Sequence, residues 1–226
     1  MSDDTLAIIV VHTMGVAFQD VLLLKDLRVF IIEDCCQSFG LNIGNQAAGT
    51  IGDIGILSFN ATKCLTTGEG GAIICNNNSI IEKIEEIICG QNSMVMSDFS
   101  ACLGLSQLQK YSEFLLKRSN IADFYLSSIK SKSTTNYSNL KTTIHYRFLL
   151  YFDGGVDYPK IKEEFSKFGI SVRKGVDALL NESNDLSGAN KLFNNTLSIP
   201  IYPSLSNEEM NKVSEVSNKI LLAYEN

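Results

Sequence analysis

Between Ser58 and Gly71 the chain reads SFNATKCLTTGEGG. One lysine, Lys63, stands in a run of hydroxyl, amide and glycine residues, with the apolar segments ILSF before it and GAIIC after it. A solvated loop lysine is the ordinary reading, because most lysines are exposed. The phosphate-loop pattern G-x-x-x-x-G-K followed by Ser or Thr does not fit, since Lys63 precedes the glycines and Cys64 follows it. The company of Lys63 points elsewhere. The strand-like run RVFIIED ends on Asp34, and Ser58 falls near the end of another apolar run. Ligand sites of open parallel sheets lie off the carboxyl ends of their strands. An acid, an amine and hydroxyls are therefore expected together at one edge of one sheet.

That set of groups suits pyridoxal 5'-phosphate (PLP). A lysine amine forms a Schiff base with its aldehyde. A carboxylate keeps its pyridine nitrogen protonated, which makes the ring an electron sink, and hydroxyls and backbone N–H groups hold its phosphate. Spacing alone does not single this out, because many α/β proteins end a strand on Asp.

The elements that must position these groups follow from apolar patterning. LAIIVVH (Leu6–His12), RVFIIED (Arg28–Asp34), IGILSF (Ile54–Phe59) and GAIICNN (Gly71–Asn77) read as strands, and their continuous apolar runs suit strands covered on both faces. QDVLLLKDL (Gln19–Leu27) and NSIIEKIEEIIC (Asn78–Cys89) read as helices, the second capped by Asn78 or Ser79. A long helical stretch runs from Ser97 to about Lys130, followed by a Ser/Thr/Asn-rich loop, Ser131–Thr143. Beyond it the pattern changes to a strand HYRFLLYF (His145–Phe152), a helix Asp157–Gly169, a short strand Ile170–Arg173, and a last strand and helix over Ser198–Glu225. Ser206 and Glu209 are placed to form a capping box for that helix. The expected division is an α/β part followed by a smaller α+β part, with the boundary inside the long helix near Lys110 to Leu116.

Composition narrows the function classes. The 226 residues are 45% hydrophobic and 19% charged, enough for a packed core and unlike a disordered tail. The net charge is −6 and no basic stripe occurs, which argues against a nucleic-acid partner. The start, MSDDTLAIIVVH, lacks the positive end of a secretory signal, and no apolar run reaches the length of a membrane span. Six cysteines without a C-x-x-C pair read as reduced thiols in a cytoplasmic protein, and with two histidines no zinc site is expected. His12, His145 and Glu69 are read as structural.

Four segments in order, EDCCQSFG, GTIGDIGILSFNATKCLTTGEGGAI, MSDFSACLGLSQLQK and LSIPIYPSLSNEEM, resemble the DegT/StrS family of PLP-dependent nucleotide-sugar aminotransferases. The resemblance runs from about His12 to the C-terminus. It implies an α/β aminotransferase of the aspartate aminotransferase-like fold (fold type I), with an incomplete large-domain sheet in a partial PLP-binding domain, residues 1–112, and a small C-terminal domain, residues 113–226. It implies amino transfer to a nucleotide-linked keto sugar in amino-sugar biosynthesis, with glutamate or glutamine as donor. Residue by residue, Lys63 matches the lysine that binds PLP and then moves a proton. Asp34 matches the acid paired with the pyridine nitrogen, Gln37 the glutamine beside the ring and its phenolic oxygen, and Ser58 a phosphate contact. Asn92 matches an asparagine that reaches a neighbouring subunit's cofactor.

The chain also departs from that pattern. The family carries, before the position of VVH, a small-residue phosphate loop and a residue that stacks on the ring. A sheet without its first strands exposes an edge and an apolar face. A homodimer, or a complex with a chain supplying that segment, is therefore expected. Asn60 stands where the family has His or Tyr, and SVRKGVDALLN (Ser171–Asn181) lacks the usual His, Tyr and Pro of the substrate segment. The competing reading is a non-catalytic homologue that serves as a partner subunit or binding protein. A generic nucleotide binder ranks last, because no G-x-G-x-x-G follows the first strand.

Overall fold

The computed structural model describes residues 2–89, 95–130, 142–152, 154–176 and 187–224. The chain divides into two compact units, Met1–Leu115 with Thr142–Tyr146, and Leu116–Lys141 with Arg147–Asn226.

The first unit is built on a four-stranded sheet of β1 (Ala7–Val11), β2 (Phe30–Asp34), β5 (Ile54–Ser58) and β6 (Gly71–Cys75), in that spatial order. A small antiparallel pair, β3 (Asn42–Ile43) and β4 (Gln46–Ala47), lies between β2 and β5 in the chain. β1, β2 and β5 run parallel, with Val11 beside Asp34 and Asp34 beside Ile56. β6 is antiparallel to β5, with Ser58 beside Gly71. The loop between β5 and β6 holds no helix, and a parallel return needs a crossover long enough to carry one.

Side chains alternate across this sheet. Val10, Ile31, Glu33 and Leu57 are buried on one face, against Val21, Ile43 and Ile51. On the other face Ile9, Val11, Ile56 and Ile73 are 65%, 49%, 37% and 48% exposed. Strands covered on both faces were expected from the continuous apolar runs. Among the described residues one face is buried and the other is half-buried to exposed, most openly at Ile9, Val11 and Ile73.

Helices follow the predicted order with local differences. α1 is one turn, Val21–Leu24, shorter than the QDVLLLKDL pattern, because so short a helix holds only where packing supports it and Val21 alone is buried. α2 spans Asn78–Cys89, and its cap is Asn77, whose Oδ1 accepts from Ser79 N–H at 3.0 Å. The long helix is two helices, α3 (Asp98–Leu108) and α4 (Tyr111–Ser128). The break falls where Lys110 N–H turns to Gln107 at 3.0 Å and the Tyr111 hydroxyl donates to Phe39 C=O at 2.6 Å, so a tertiary anchor overrides the helical pattern.

The second unit has an antiparallel sheet, ordered β7 (Phe148–Tyr151), β9 (Thr196–Ile199), β8 (Arg173–Lys174). It carries the helices α5 (Tyr158–Ser166), α6 (Ser187–Asn195) and α7 (Asn207–Tyr224). Tyr125, Phe148, Phe165, Leu150 and Leu197 fill its core without exposure, each contributing about 1.5–3 kcal/mol relative to an exposed side chain. Ser206 and Glu209 form both bonds of the expected capping box, at 2.8 and 3.2 Å. The strand predicted from His145 begins only at Phe148, and His145 belongs to the first unit, held at φ +50°. Among the described residues no helix is long and apolar enough to cross a membrane.

Candidate functional site

β2 ends on Asp34, and the chain then turns sharply. Asp34 Oδ1 accepts from Cys36 N–H at 3.0 Å, an Asx turn, while Cys35 N–H donates to Ile56 C=O at 2.9 Å. Asp34 C=O accepts from His12 N–H at 3.1 Å. The turn is thus tied to both neighbouring strands. Gln37 follows, and its Oε1 accepts from Met14 N–H at 2.7 Å. That bond fixes the amide orientation and leaves the NH2 donors for another acceptor.

The lysine loop closes between β5 and β6. Phe59 N–H donates to Gly70 C=O at 2.8 Å, and Phe59 C=O accepts from Thr67 N–H at 2.8 Å and from the Thr66 hydroxyl at 3.1 Å. Inside this frame Lys63 N–H donates to Asn60 C=O at 2.9 Å, and Ser58 Oγ accepts from Asn60 N–H at 3.4 Å. The Asn60 amide donates to the Glu69 carboxylate at 3.2 Å, so Glu69 braces the loop, as its structural reading supposed. α3 supports the loop from outside. Gln107 Oε1 accepts from Thr66 N–H at 3.0 Å, and Gly104 lies so close that a Cβ there would stand 2.7 Å from Thr67 Cγ2. The motif MSDFSACLGLSQLQK is in this way a platform for the lysine loop.

Gln37, Ser58 and Lys63 line one small recess together with Cys36, Cys64 and Tyr146. Its volume is about 10 Å³, room for no more than a water molecule. The groups therefore converge on one another, and a ring-sized ligand has to lie on their solvent side. Asp34 does not line that space. It reaches the cluster through Cys36: burial pushes the Cys36 thiol up to about 11, the hydrogen bond to the Asp34 carboxylate adds to this, and the Lys63 charge opposes it. Asp34 and Lys63 thus act on the same thiol from one end of the sheet. The Lys63 ammonium lies 5.6 Å from the centroid of the Tyr146 ring.

Of the residues singled out from sequence, Asp34, Gln37, Ser58 and Lys63 meet at this edge. Asn92 lies outside the described residues. Cys36 and Tyr146 were missed. Cys36 was detectable, standing two residues after Asp34 inside EDCCQ. Tyr146 was not, because HYRFLLYF reads as one strand.

Behind the site, His12, Glu33 and Cys35 bring ligand-type atoms within 4.8 Å of one another. His12 Nε2 donates to Glu33 Oε2 at 3.0 Å and Nδ1 accepts from Phe18 N–H at 3.1 Å. Glu33 also accepts from Gly49, Ile51 and Gly52 N–H groups at 3.0, 2.7 and 2.7 Å. Both nitrogens and both oxygens are engaged, so the cluster is a buried hydrogen-bond network with no free ligand atoms on His12 or Glu33. His12 joins β2 to the chain at Phe18 through these two bonds.

The donor set at the sheet edge fits PLP by its chemistry. Asp34 keeps Oδ2 beyond the turn bond, Gln37 keeps its NH2 group, Ser58 offers a hydroxyl and Lys63 a primary amine. A carboxylate for a ring N–H⁺, an amide donor for a phenolate, a hydroxyl for a phosphate and an amine for an aldehyde are the complements that cofactor needs.

A model of the DegT/DnrJ/EryC1/StrS aminotransferase family matches residues 1–217. Among curated proteins, GDP-perosamine synthase of Escherichia coli O157:H7 is 32% identical over 148 residues, covering 58% of this chain and 40% of that protein. The dTDP-4-amino-4,6-dideoxy-D-glucose transaminase of Shigella dysenteriae is 29% identical over 239 residues, covering 92% and 64%. The chain spans less than two thirds of the length of these relatives. Among solved structures, the aminotransferase TlmJ from Streptoalloteichus hindustanus superposes with a TM-score of 0.88 at 22% identity, over 100% of this chain and 68% of that one. The PLP form of the sugar aminotransferase Spr1654 from Streptococcus pneumoniae does so with 0.83 at 24%, over 99% and 70%. These likenesses establish the aspartate aminotransferase-like fold expected from sequence.

Proposed function

The chain belongs to the DegT/DnrJ/EryC1/StrS aminotransferase family, and from that premise we propose that it carries the lysine of a PLP-dependent site that transfers an amino group to a nucleotide-linked keto sugar. The observation that carries this reading is that Lys63, Ser58 and Gln37 line one small space together with Cys36, whose N–H donates to Asp34 Oδ1.

When bound, PLP supplies an electron sink that acidifies the donor's α-carbon. The chain's residues have separate tasks around it. The Lys63 amine would hold the cofactor at its aldehyde carbon and would move the proton of the donor's α-carbon. The Asp34 carboxylate keeps the pyridine nitrogen protonated, and the Cys36 N–H bond holds that carboxylate in place. Gln37 donates to the phenolic oxygen, its orientation set by Met14. The Ser58 hydroxyl donates to the phosphate. Asn92 serves a second subunit's cofactor in the same scheme. The relatives named as synthases and transaminases of GDP-, dTDP- and UDP-linked sugars support the substrate class.

Association belongs to this reading. Ile9, Val11, Ile56 and Ile73 form an apolar face beside the edge strand β1, and Phe99, Leu103, Leu105 and Leu108 of α3 are exposed as well. A second copy, or a chain that supplies further strands and phosphate contacts, is the expected cover. The same face favours a second reading, in which the chain serves as a partner subunit without catalysis of its own. Six free cysteines suit a reducing compartment such as the cytoplasm.

Titration of the purified chain with PLP tests the first reading. Visible absorbance that Lys63→Ala abolishes supports it, and no such absorbance at saturating PLP favours the partner-subunit reading.

A further inference from the structure

We infer that Tyr146 is a positioning residue for Lys63, presented to the lysine loop by a strap of residues 142–146. The inference rests on the proposed role of Lys63 for its importance, and on the geometry alone for its existence.

The strap pairs with the chain after β1. Ala17 N–H donates to Thr142 C=O at 3.1 Å and Ile144 N–H to Gly15 C=O at 2.9 Å, with Val16 bridged to Thr143. The approach demands glycine at position 15. Its φ is +79°, and a Cβ there would lie 2.8 Å from Ile144 Cγ1 and 2.9 Å from Tyr146 Cβ. The strap then turns at His145, whose φ is +50° and whose N–H donates to Thr143 Oγ1 at 3.0 Å. The turn sends Ile144 into the core and leaves Tyr146 facing the lysine loop.

Tyr146 meets Lys63 at two points. Its hydroxyl donates to Thr62 C=O at 3.4 Å, on the peptide bond whose N–H belongs to Lys63 and donates to Asn60. The peptide plane entering Lys63 is thereby held from both sides. The ammonium lies 5.6 Å from the ring centroid, inside the range of a cation–π contact. A lysine stem has many rotamers, and a nucleophile gains from being held near its target. Tyr146 bears on both the backbone and the head group of Lys63.

The test uses the full chain. Acetylation of Lys63 by acetic anhydride in PLP-free protein is followed by peptide mass spectrometry, with Lys110 as internal reference, in the parent, Tyr146→Leu and Tyr146→Phe. Tyr146→Leu is expected to label Lys63 about two- to fivefold faster, and Tyr146→Phe, which keeps the ring, within about twofold of the parent. Lys63 labelling unchanged in Tyr146→Leu overturns the inference. Should Tyr146→Leu not fold, selective ¹³Cε-lysine labelling of the parent decides. The Lys63 ε-methylene signal, identified by its loss in Lys63→Arg, is expected upfield of the other lysines through the ring current, and an unshifted signal overturns the inference. PLP titration of the same proteins separates the two claims. A parent without Lys63-dependent absorbance sinks the cofactor reading, while the labelling still decides the role of Tyr146.

Discussion

Glu33 accepts the Nε2 proton of His12 at 3.0 Å with both side chains wholly buried. The Phe18 N–H occupies Nδ1, which places the ring's proton on Nε2 and makes the contact a hydrogen bond of a neutral imidazole. Glu33 and Asp34 are consecutive in one strand and point to opposite faces. The inward acid ties the loop 49–52 and the end of β1 to β2, and the outward acid is the one the proposed function assigns to the cofactor. The site edge is thus anchored by a polar network directly beneath it.

Breaking that network is expected to cost stability. Glu33→Ala leaves three backbone N–H groups and one imidazole N–H without a partner, a loss of about 3 kcal/mol or more, and Glu33→Gln about 1–2 kcal/mol. Urea unfolding at pH 7 checks both values.

The same carboxylate sets an acid limit. Burial pushes its pKa up, but the bonds from His12, Gly49, Gly52 and Ile51 together hold it below its ordinary value of 4.5. A carboxyl depressed on folding contributes stability that is complete above the unfolded-state pKa and fades as pH falls through the folded one. Stability is expected to be flat in Glu33's contribution from pH 7 down to its ordinary value of 4.5 and to fall progressively below it. Glu33→Gln should lose that part of the slope when midpoints are compared at pH 7, 5 and 3.5.

The contact between α3 and the lysine loop predicts a rescuable defect. Gly104→Ala drives a Cβ against Thr67 Cγ2 and is expected to destabilise by about 1–2 kcal/mol. Thr67→Ser removes that methyl and keeps the hydroxyl that donates to Glu69 C=O at 2.6 Å. The double variant should recover most of the loss in thermal unfolding, a coupling absent if the two positions are independent.

The site thiols should differ from the surface ones. Burial first, then Asp34, raises Cys36 to about 11, and burial chiefly raises Cys35 to about 12, while Cys89 and Cys102 are exposed. At pH 8 Cys36 is therefore held almost wholly as the thiol. Iodoacetamide is expected to modify Cys89 and Cys102 first and Cys36 about tenfold faster for each pH unit between 8 and 10. Peptide mass spectrometry reads the order.

The strands, and the placing of Asp34 and Ser58 at one sheet edge, were legible in the sequence because both rest on local signals. The runs IIVV, FIIE and IGIL mark buried strands, and strand ends bring Asp34 and Ser58 to one edge by topology alone. What escaped depends on tertiary contacts. The break at Gln109 and Lys110 has no proline or glycine to announce it; the anchor is Tyr111 on Phe39, far apart in sequence. Tyr146 was hidden because the strap that turns it toward Lys63 exists only once Gly15 lies beneath it. Apolar runs also could not reveal that Ile9, Val11, Ile56 and Ile73 face solvent, since both faces of such a strand look alike in sequence.

Ser58 and Asp34 should affect cofactor retention in different ways. Ser58→Ala removes one hydroxyl donor and is expected to weaken PLP binding about five- to twentyfold, in line with one hydrogen bond to a charged group. Asp34→Asn keeps an oxygen for the Cys36 N–H bond but loses the charge. It should leave PLP binding within tenfold of the parent while suppressing the half-reaction with an amino donor. Equilibrium dialysis and single-turnover absorbance separate the two.

The proposed cofactor site requires the Lys63 amine to bind PLP, and absorbance spectroscopy with PLP tests this most directly. The parent chain is expected to develop a visible band on PLP addition that persists through gel filtration and is fixed by borohydride as a phosphopyridoxyl group on the peptide containing Lys63; Lys63→Ala should lack it. A band that survives in Lys63→Ala, or a borohydride adduct mapped to other lysines only, would contradict the assignment.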